Sequence, residues 1–131
     1  MIKISDNYLI PFKSIHIQKY WDELKNKRLF APKCKNCGAQ FFPPLAHCPK
    51  CLAKELEWVE LSGEGTLYSW TSIEYSVENP YILGIIELKE KIGRSIARII
   101  AEETNLKINM KMKAKYIKEG ESYFLNWTPI S

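Results

Sequence analysis

Histidine is nearly missing from this chain: among 131 residues only His16 and His47 occur. Arginine is almost as scarce, with Arg28, Arg94 and Arg98 the only arginines in a set of 19 lysines and arginines. No serine sits in a Gly-x-Ser-x-Gly turn, and there is neither a glycine-rich phosphate loop nor a dinucleotide-binding fingerprint. The carboxylates Glu74, Glu78 and Glu87 show no spacing that pairs them for acid–base work. These absences weaken the case for catalysis of any ordinary kind. The shortage of arginine also argues against readout of base edges, where bidentate guanidinium groups are preferred. Long apolar runs are lacking, which removes a membrane span. The first residues lack the apolar stretch of a secretory signal. The expectation is a cytoplasmic chain with no membrane partner, in a compartment that keeps thiols reduced.

What the chain does have is four cysteines in two pairs, Cys34-Lys35-Asn36-Cys37 and Cys48-Pro49-Lys50-Cys51. Two such turns can close on one tetrahedral metal ion, each pointing two sulfurs inward, and no cysteine is left over. Gly38, directly after Cys37, suits a tight turn that needs positive φ or a close backbone approach. Two disulfides, or four unrelated buried thiols, are the alternatives. The expected ligands are Cys34, Cys37, Cys48 and Cys51, and the expected ion is a structural zinc, with iron as second choice. His47 precedes Cys48 but is a bystander on this reading, because four thiolates complete the shell. A closed shell leaves no position for a reacting water, so the ion is expected to hold the fold rather than do chemistry. The stretch between the pairs is too short to bury a core of its own, so the metal must substitute for one.

Ile17, Tyr20, Trp21 and Leu24 recur at i, i+3, i+4 and i+7. That spacing predicts an amphipathic helix from about Ser14 to Phe30, with Ser14 as N-cap and Pro32 marking its end. Asp22, Glu23, Lys25 and Lys27 fall off the stripe. Its ordinary use is packing on its own domain; the alternative is that Tyr20 and Trp21 wall a groove. Residues 1–13 read as an extended or loosely held arm, with a short helix as the alternative. Phe41-Phe42-Pro43-Pro44 reads as a hairpin arm followed by a proline turn, the plan of a zinc ribbon.

From Trp58 onward the pattern is that of strands: Glu64 to Ile73, Tyr81 to Leu88, Arg94 to Ala101, Lys111 to Lys118 and Ser122 to Trp127. Turn signals stand between them at Asn79-Pro80, Gly93 and Glu119-Gly120. Five strands, the first long and carrying Gly63 and Gly65 near its start, predict a small closed barrel of the OB type. The expected fold class is therefore mainly β: a helical arm over 1–30, a zinc ribbon over 31–56 and a five-stranded OB-fold barrel over 57–131.

The net charge of +4 is a weak pull toward anionic partners. Lys111, Lys113 and Lys115 alternate with Met112, Ala114 and Tyr116, which puts three ammonium groups on one strand face. That face is read as solvated and edge-protecting, with anion binding as the alternative. Arg94 and Arg98 share a face of their strand, which is expected to be exposed or to meet a partner. Tyr68 and Trp70 either stack bases or belong to the core.

The order of these parts resembles the family first catalogued as domain of unknown function 35. The resemblance rests on "CKNCG", a proline pair, "CPKC" and then "LEWVELSGEGTLYSW". The later stretches "YILGIIELKE", "RSIARII" and "YFLNWTP" are similar to its remaining strands, so that about Tyr20 to Pro129 is covered. One departure is Lys89-Glu90-Lys91-Ile92-Gly93, where many members carry a glycine-rich turn.

The resemblance implies a rubredoxin-like zinc ribbon joined to an OB-fold. It further implies a non-catalytic, acyl-CoA-binding accessory or scaffold subunit for a thiolase-type enzyme or a hydroxymethylglutaryl-CoA synthase. On that reading a groove is expected between helix and barrel. Tyr20, Trp21 and Leu24 would line an apolar slot for the pantetheine arm, and Arg28 would meet phosphates. A single-stranded nucleic-acid-binding module is the competing expectation, because ribbons and OB-folds both occur in such proteins.

Overall fold

The protein is described by a computed structural model over residues 17–74 and 80–130. Ser14, His16, Glu78, Asn79 and the arm of residues 1–13 lie outside the described residues.

Helix α1 spans Gln18–Lys25 and ends before the expected Phe30. Tyr20, Trp21 and Leu24 form its buried stripe, and Ile17, just before it, is buried too. The helix stops where Lys27 turns left-handed, at φ 58°. The Lys27 N–H donates to the Leu24 carbonyl and the Arg28 N–H to the Glu23 carbonyl, each at 3.0 Å. These are the two bonds of a Schellman end, and they occupy carbonyls that a longer helix would need. The chain continues as strand β1, Phe30–Cys34. Pro32 thus lies inside a strand rather than marking the helix end, and its carbonyl accepts the Phe41 N–H at 3.4 Å.

Strand β2, Leu56–Glu60, pairs antiparallel with β1, with Phe30 opposite Glu60 and Cys34 opposite Leu56. The two cysteine turns hang from this two-stranded ribbon. The expected division between residues 56 and 57 falls inside β2.

The remaining strands are β3 (Glu64–Ile73), β4 (Tyr81–Leu88), β5 (Arg94–Ile99), β6 (Lys111–Glu119) and β7 (Ser122–Pro129). They close a barrel in the order β3-β4-β5-β7-β6. The start of β3 serves both neighbours: Gly65 stands opposite Leu88 of β4 and Met112 of β6. β5 and β7 meet in parallel at Ile99 and Trp127, which completes the circuit. β3 carries a bulge at Tyr68. The register slips between Leu67 and Ser69, leaving Tyr68 as the extra residue of a bulge.

Leu67, Ile86, Leu88, Ile99, Met112 and Trp127 fill the barrel. Trp127 is fully buried and donates its indole N–H to Ser95 Oγ at 3.0 Å, so its one polar atom is satisfied. Helix α1 packs on β7, where Trp21 meets Phe124 edge-on with ring centroids 5.9 Å apart. One apolar core therefore runs from α1 through Ala31 of β1 into the barrel. A second, smaller core surrounds Cys34 and Cys48 and includes Phe41. Ribbon and barrel touch again where Phe42 and Gly93 form an isolated parallel bridge. A side chain at position 93 would strike the Phe42 carbonyl, so glycine is what allows this approach. Among the described residues no helix is long and apolar enough to cross a membrane.

Candidate metal centre

The four cysteines converge. Cys34 Sγ lies 3.5 Å from Cys51 Sγ, Cys37 Sγ lies 3.6 Å from Cys48 Sγ, and all four sulfurs fall within 4.8 Å of one another. A tetrahedron with metal–sulfur arms of about 2.3 Å has edges of about 3.8 Å, so the cluster has the dimensions of a zinc–thiolate shell. Both alternatives from the sequence are corrected by this geometry. The sulfurs are too far apart for disulfides, which need about 2.0 Å, and too close together to be unrelated thiols. His47 is not part of the cluster.

Backbone geometry aims the sulfurs. In the first turn the Cys34 N–H donates to the Ala39 carbonyl (2.8 Å) and the Gly38 N–H to the Cys34 carbonyl (2.9 Å). In the second, the Cys48 N–H donates to the Ala53 carbonyl (2.8 Å) and the Leu52 N–H to the Cys48 carbonyl (2.9 Å). The two turns are thus the same device used twice, with Gly38 matched by Leu52 and Ala39 by Ala53. Both Gly38 and Leu52 are left-handed, at φ 76° and 66°. Glycine takes that conformation freely, whereas a residue with a Cβ is disfavoured there by roughly 1–2 kcal/mol.

Donors surround the sulfurs as a thiolate cluster requires. The Cys37 N–H points at Cys34 Sγ (3.4 Å), the Lys50 N–H at Cys48 Sγ (3.3 Å) and the Asn36 amide at Cys51 Sγ (3.5 Å). The Asn36 amide and then the Ala53 backbone N–H pull the Cys51 thiol down to about 6. At Cys37 the Ala39 backbone acts in the same direction, but burial and the three neighbouring sulfurs outweigh it and hold that thiol near 11. Four thiols this close compete for charge, and a bound dication would resolve the competition by deprotonating all of them.

The other residues singled out by the sequence lie elsewhere. Tyr20, Trp21 and Leu24, expected to wall a ligand groove, are 8%, 5% and 0% exposed and belong to the core between α1 and the barrel. Tyr20 packs near Phe42 and edge-on to Trp21. Burial pushes its phenol well above the ordinary range. Among the described residues, β7 covers the stripe that these three side chains form. Arg28 is exposed but engaged: its guanidinium holds Glu60 at 3.1 Å and Glu23 at 3.5 Å and lies over the Phe30 ring.

On the barrel, Lys111, Lys113 and Lys115 are exposed while Met112 between them is fully buried. Arg94 covers the Tyr68 ring at 3.8 Å and pairs with Glu87, so one face of that ring is already taken. Trp70 is half-buried and donates its indole N–H to Glu103. An open cleft of about 400 Å³ at the end of β3 and β4 is lined by Ser72, Glu74, Tyr81, Arg98 and Glu103 among others, none of them from the ribbon.

Two features were missed in the sequence. Glu23 is buried although it falls off the apolar stripe, and Leu52 takes a glycine conformation. Only the second left a trace in the sequence, in the match between Cys-Lys-Asn-Cys-Gly-Ala and Cys-Pro-Lys-Cys-Leu-Ala.

A four-cysteine ribbon fused to a closed five-stranded barrel defines the class: a rubredoxin-like zinc ribbon followed by an OB-fold. Comparison with known proteins agrees with both halves. The family described as the ChsH2 rubredoxin-like zinc ribbon domain matches residues 21–57, and the ChsH2 C-terminal OB-fold domain matches residues 58–116. A DUF35 domain-containing scaffold protein of Methanocaldococcus jannaschii is 31% identical over 121 residues, covering 86% of this chain and 84% of that protein. The chain belongs to the DUF35 family. The benzoylsuccinyl-CoA thiolase subunit BbsA of Thauera aromatica is 40% identical over 63 residues, which is 46% of this chain and 44% of that subunit. A solved structure described as an Ltp2–ChsH2(DUF35) aldolase shares the fold, with a TM-score of 0.78 at 22% identity over 92% of this chain and 98% of that one.

Proposed function

We propose that this chain is a non-catalytic accessory subunit that pairs with a thiolase-type enzyme, and that its ribbon is held by one structural zinc. The observation that carries the proposal is similarity over most of the chain's length to a protein described as a scaffold. Partial similarity to a thiolase subunit supports the kind of partner. The metal cluster fits a supporting role, because four thiolates fill a tetrahedral shell and leave no position for substrate. Zinc would be held by Cys34, Cys37, Cys48 and Cys51 and would supply folding energy to the ribbon.

The finer part of the proposal concerns the ligand and the enzyme. An apolar slot along α1 would require Tyr20, Trp21 and Leu24 to leave the core, at a cost of about 1.5–3 kcal/mol for each side chain exposed. We therefore place the contact with an acyl-CoA at exposed cations, Arg28 among them, with the enzyme supplying the apolar slot. A hydroxymethylglutaryl-CoA synthase is the other enzyme to which the same arrangement applies.

The test is co-expression with the thiolase-type enzyme encoded nearest to this chain's gene. Size-exclusion chromatography then reads the complex, and elemental analysis reads the metal. The expected result is a stable complex with near-stoichiometric zinc. It should bind acetyl-CoA in calorimetry more tightly than either component does alone. Failure to form a complex sinks the reading. Tight, salt-sensitive binding to single-stranded oligonucleotides in its place would favour the nucleic-acid alternative.

A further inference from the structure

Leu52 combines two unfavourable states, and among the described residues neither apolar core takes up its side chain. Its backbone is left-handed at φ 66°, a conformation that favours glycine. Its side chain is 68% exposed, the highest value among the exposed large hydrophobic residues described. It belongs to neither apolar core, although its neighbours Cys51 and Ala53 pack on the small one. The first turn shows that glycine satisfies the same hydrogen-bonding pattern, since Gly38 occupies the matching position. A leucine here is therefore required neither by the turn nor by the packing. Backbone strain kept at an exposed position is a pointer to function.

The surroundings indicate what covers it. Lys50 and Lys54, two residues to either side, are both exposed, and so is Leu45 on the segment leading into the turn. An aliphatic side chain projecting from a hydrogen-bonded turn, with exposed lysines two residues to either side, is complementary to an apolar pocket edged with carboxylates. The turn is rigid on both sides, through the Cys48–Ala53 and Cys48–Leu52 backbone bonds. An anchor held this way loses little freedom on docking.

We propose that Leu52 is the anchor by which the second cysteine turn docks into an apolar pocket on the partner enzyme, with Lys50 and Lys54 meeting carboxylates at its rim. This rests on the reading of the chain as an accessory subunit of a thiolase-type enzyme.

The structure sets two effects of one substitution against each other. Leu52→Gly removes the backbone strain and the anchor together. The zinc-loaded variant should release its metal to a colorimetric chelator no faster than wild type, and it should bind the enzyme at least about tenfold more weakly. Leu52→Asn, whose side chain tolerates the left-handed turn and is polar, should weaken binding similarly with zinc retained. Lys50→Glu combined with Lys54→Glu should weaken binding and flatten or reverse its salt dependence. The probe is the purified thiolase-type enzyme encoded nearest to this chain's gene, with its affinity measured by calorimetry against the full chain.

Unchanged affinity in both Leu52 variants overturns the docking proposal while leaving the accessory reading intact. Faster zinc loss in Leu52→Gly also overturns it, because leucine would then be serving the turn itself. If wild type forms no complex, the accessory reading fails and the anchor fails with it, an outcome distinct from the other two.

Discussion

Glu23 is a carboxylate buried beneath its own counterions. Lys19 Nζ lies 2.6 Å from it, the Asn26 amide donates at 3.3 Å, and Arg28 stands 3.5 Å away. Hydrogen bonds from Lys19 and then Asn26 hold its pKa below the usual carboxylate value, against the opposing effect of burial. A depressed folded-state pKa contributes stability that is fully present above the unfolded value and is lost as pH falls through the folded one. Acidification from about pH 5 to pH 3 should therefore lower the urea midpoint of the wild type through this group. Glu23→Gln should be less stable than wild type at pH 7 and should show a flatter acid limb. The sequence placed Glu23 off the apolar stripe, and by helical period that is correct. What buries it is the Schellman end, which turns Arg28 back over the helix, and no periodicity reports such a turn. Leu52 was hidden for a related reason: its conformation is set by the hydrogen bonds of the second cysteine turn, while its residue type points elsewhere.

Among the elements, the ribbon and the barrel obtain their stability in different ways. The barrel is filled by Leu67, Ile86, Met112, Trp127 and their neighbours, whereas the cysteine turns share a core made largely of their own thiols, Phe41 and small side chains. Cys51→Ser should accordingly abolish stoichiometric metal binding and leave the barrel folded. Hydrogen exchange would show this as loss of protection at the Cys34 and Cys48 amides, with the amides of β4 still protected. Loss of protection in both regions would contradict it.

The bounds of β3 and β4 were legible because turn residues bracket each run. The four metal ligands were legible because two spaced pairs admit few other uses. β2 was legible only from Trp58 onward: Leu56–Glu60 is too short to show a clear period and is fixed as a strand by pairing with β1, more than twenty residues earlier in the chain. The burial of Tyr20, Trp21 and Leu24 was likewise undetermined, because an amphipathic stripe is compatible with a core and with a groove until its cover, β7, is located.

For the whole molecule, the contact between Phe42 and Gly93 is the second link between ribbon and barrel, after the shared core under α1. Gly93→Ala would drive a methyl group into the Phe42 carbonyl, which is backbone and cannot rotate away. The expected cost is about 1–3 kcal/mol, the usual range for overpacking. Its expected form is a ribbon that melts before the barrel, seen as a first calorimetric transition that moves with added chelator. A single transition at the wild-type temperature would show that the link is slack.

The closed circuit of β3 to β7 has a further consequence for how the protein fails. Each barrel strand has a neighbour on both sides, while among the described residues β2 is paired with β1 alone. A ring of strands offers no template to another chain, but an edge does. Self-association after metal stripping should therefore nucleate at the ribbon, where Glu55 and Glu57 repel an incoming copy and set the delay before fibres or precipitate form.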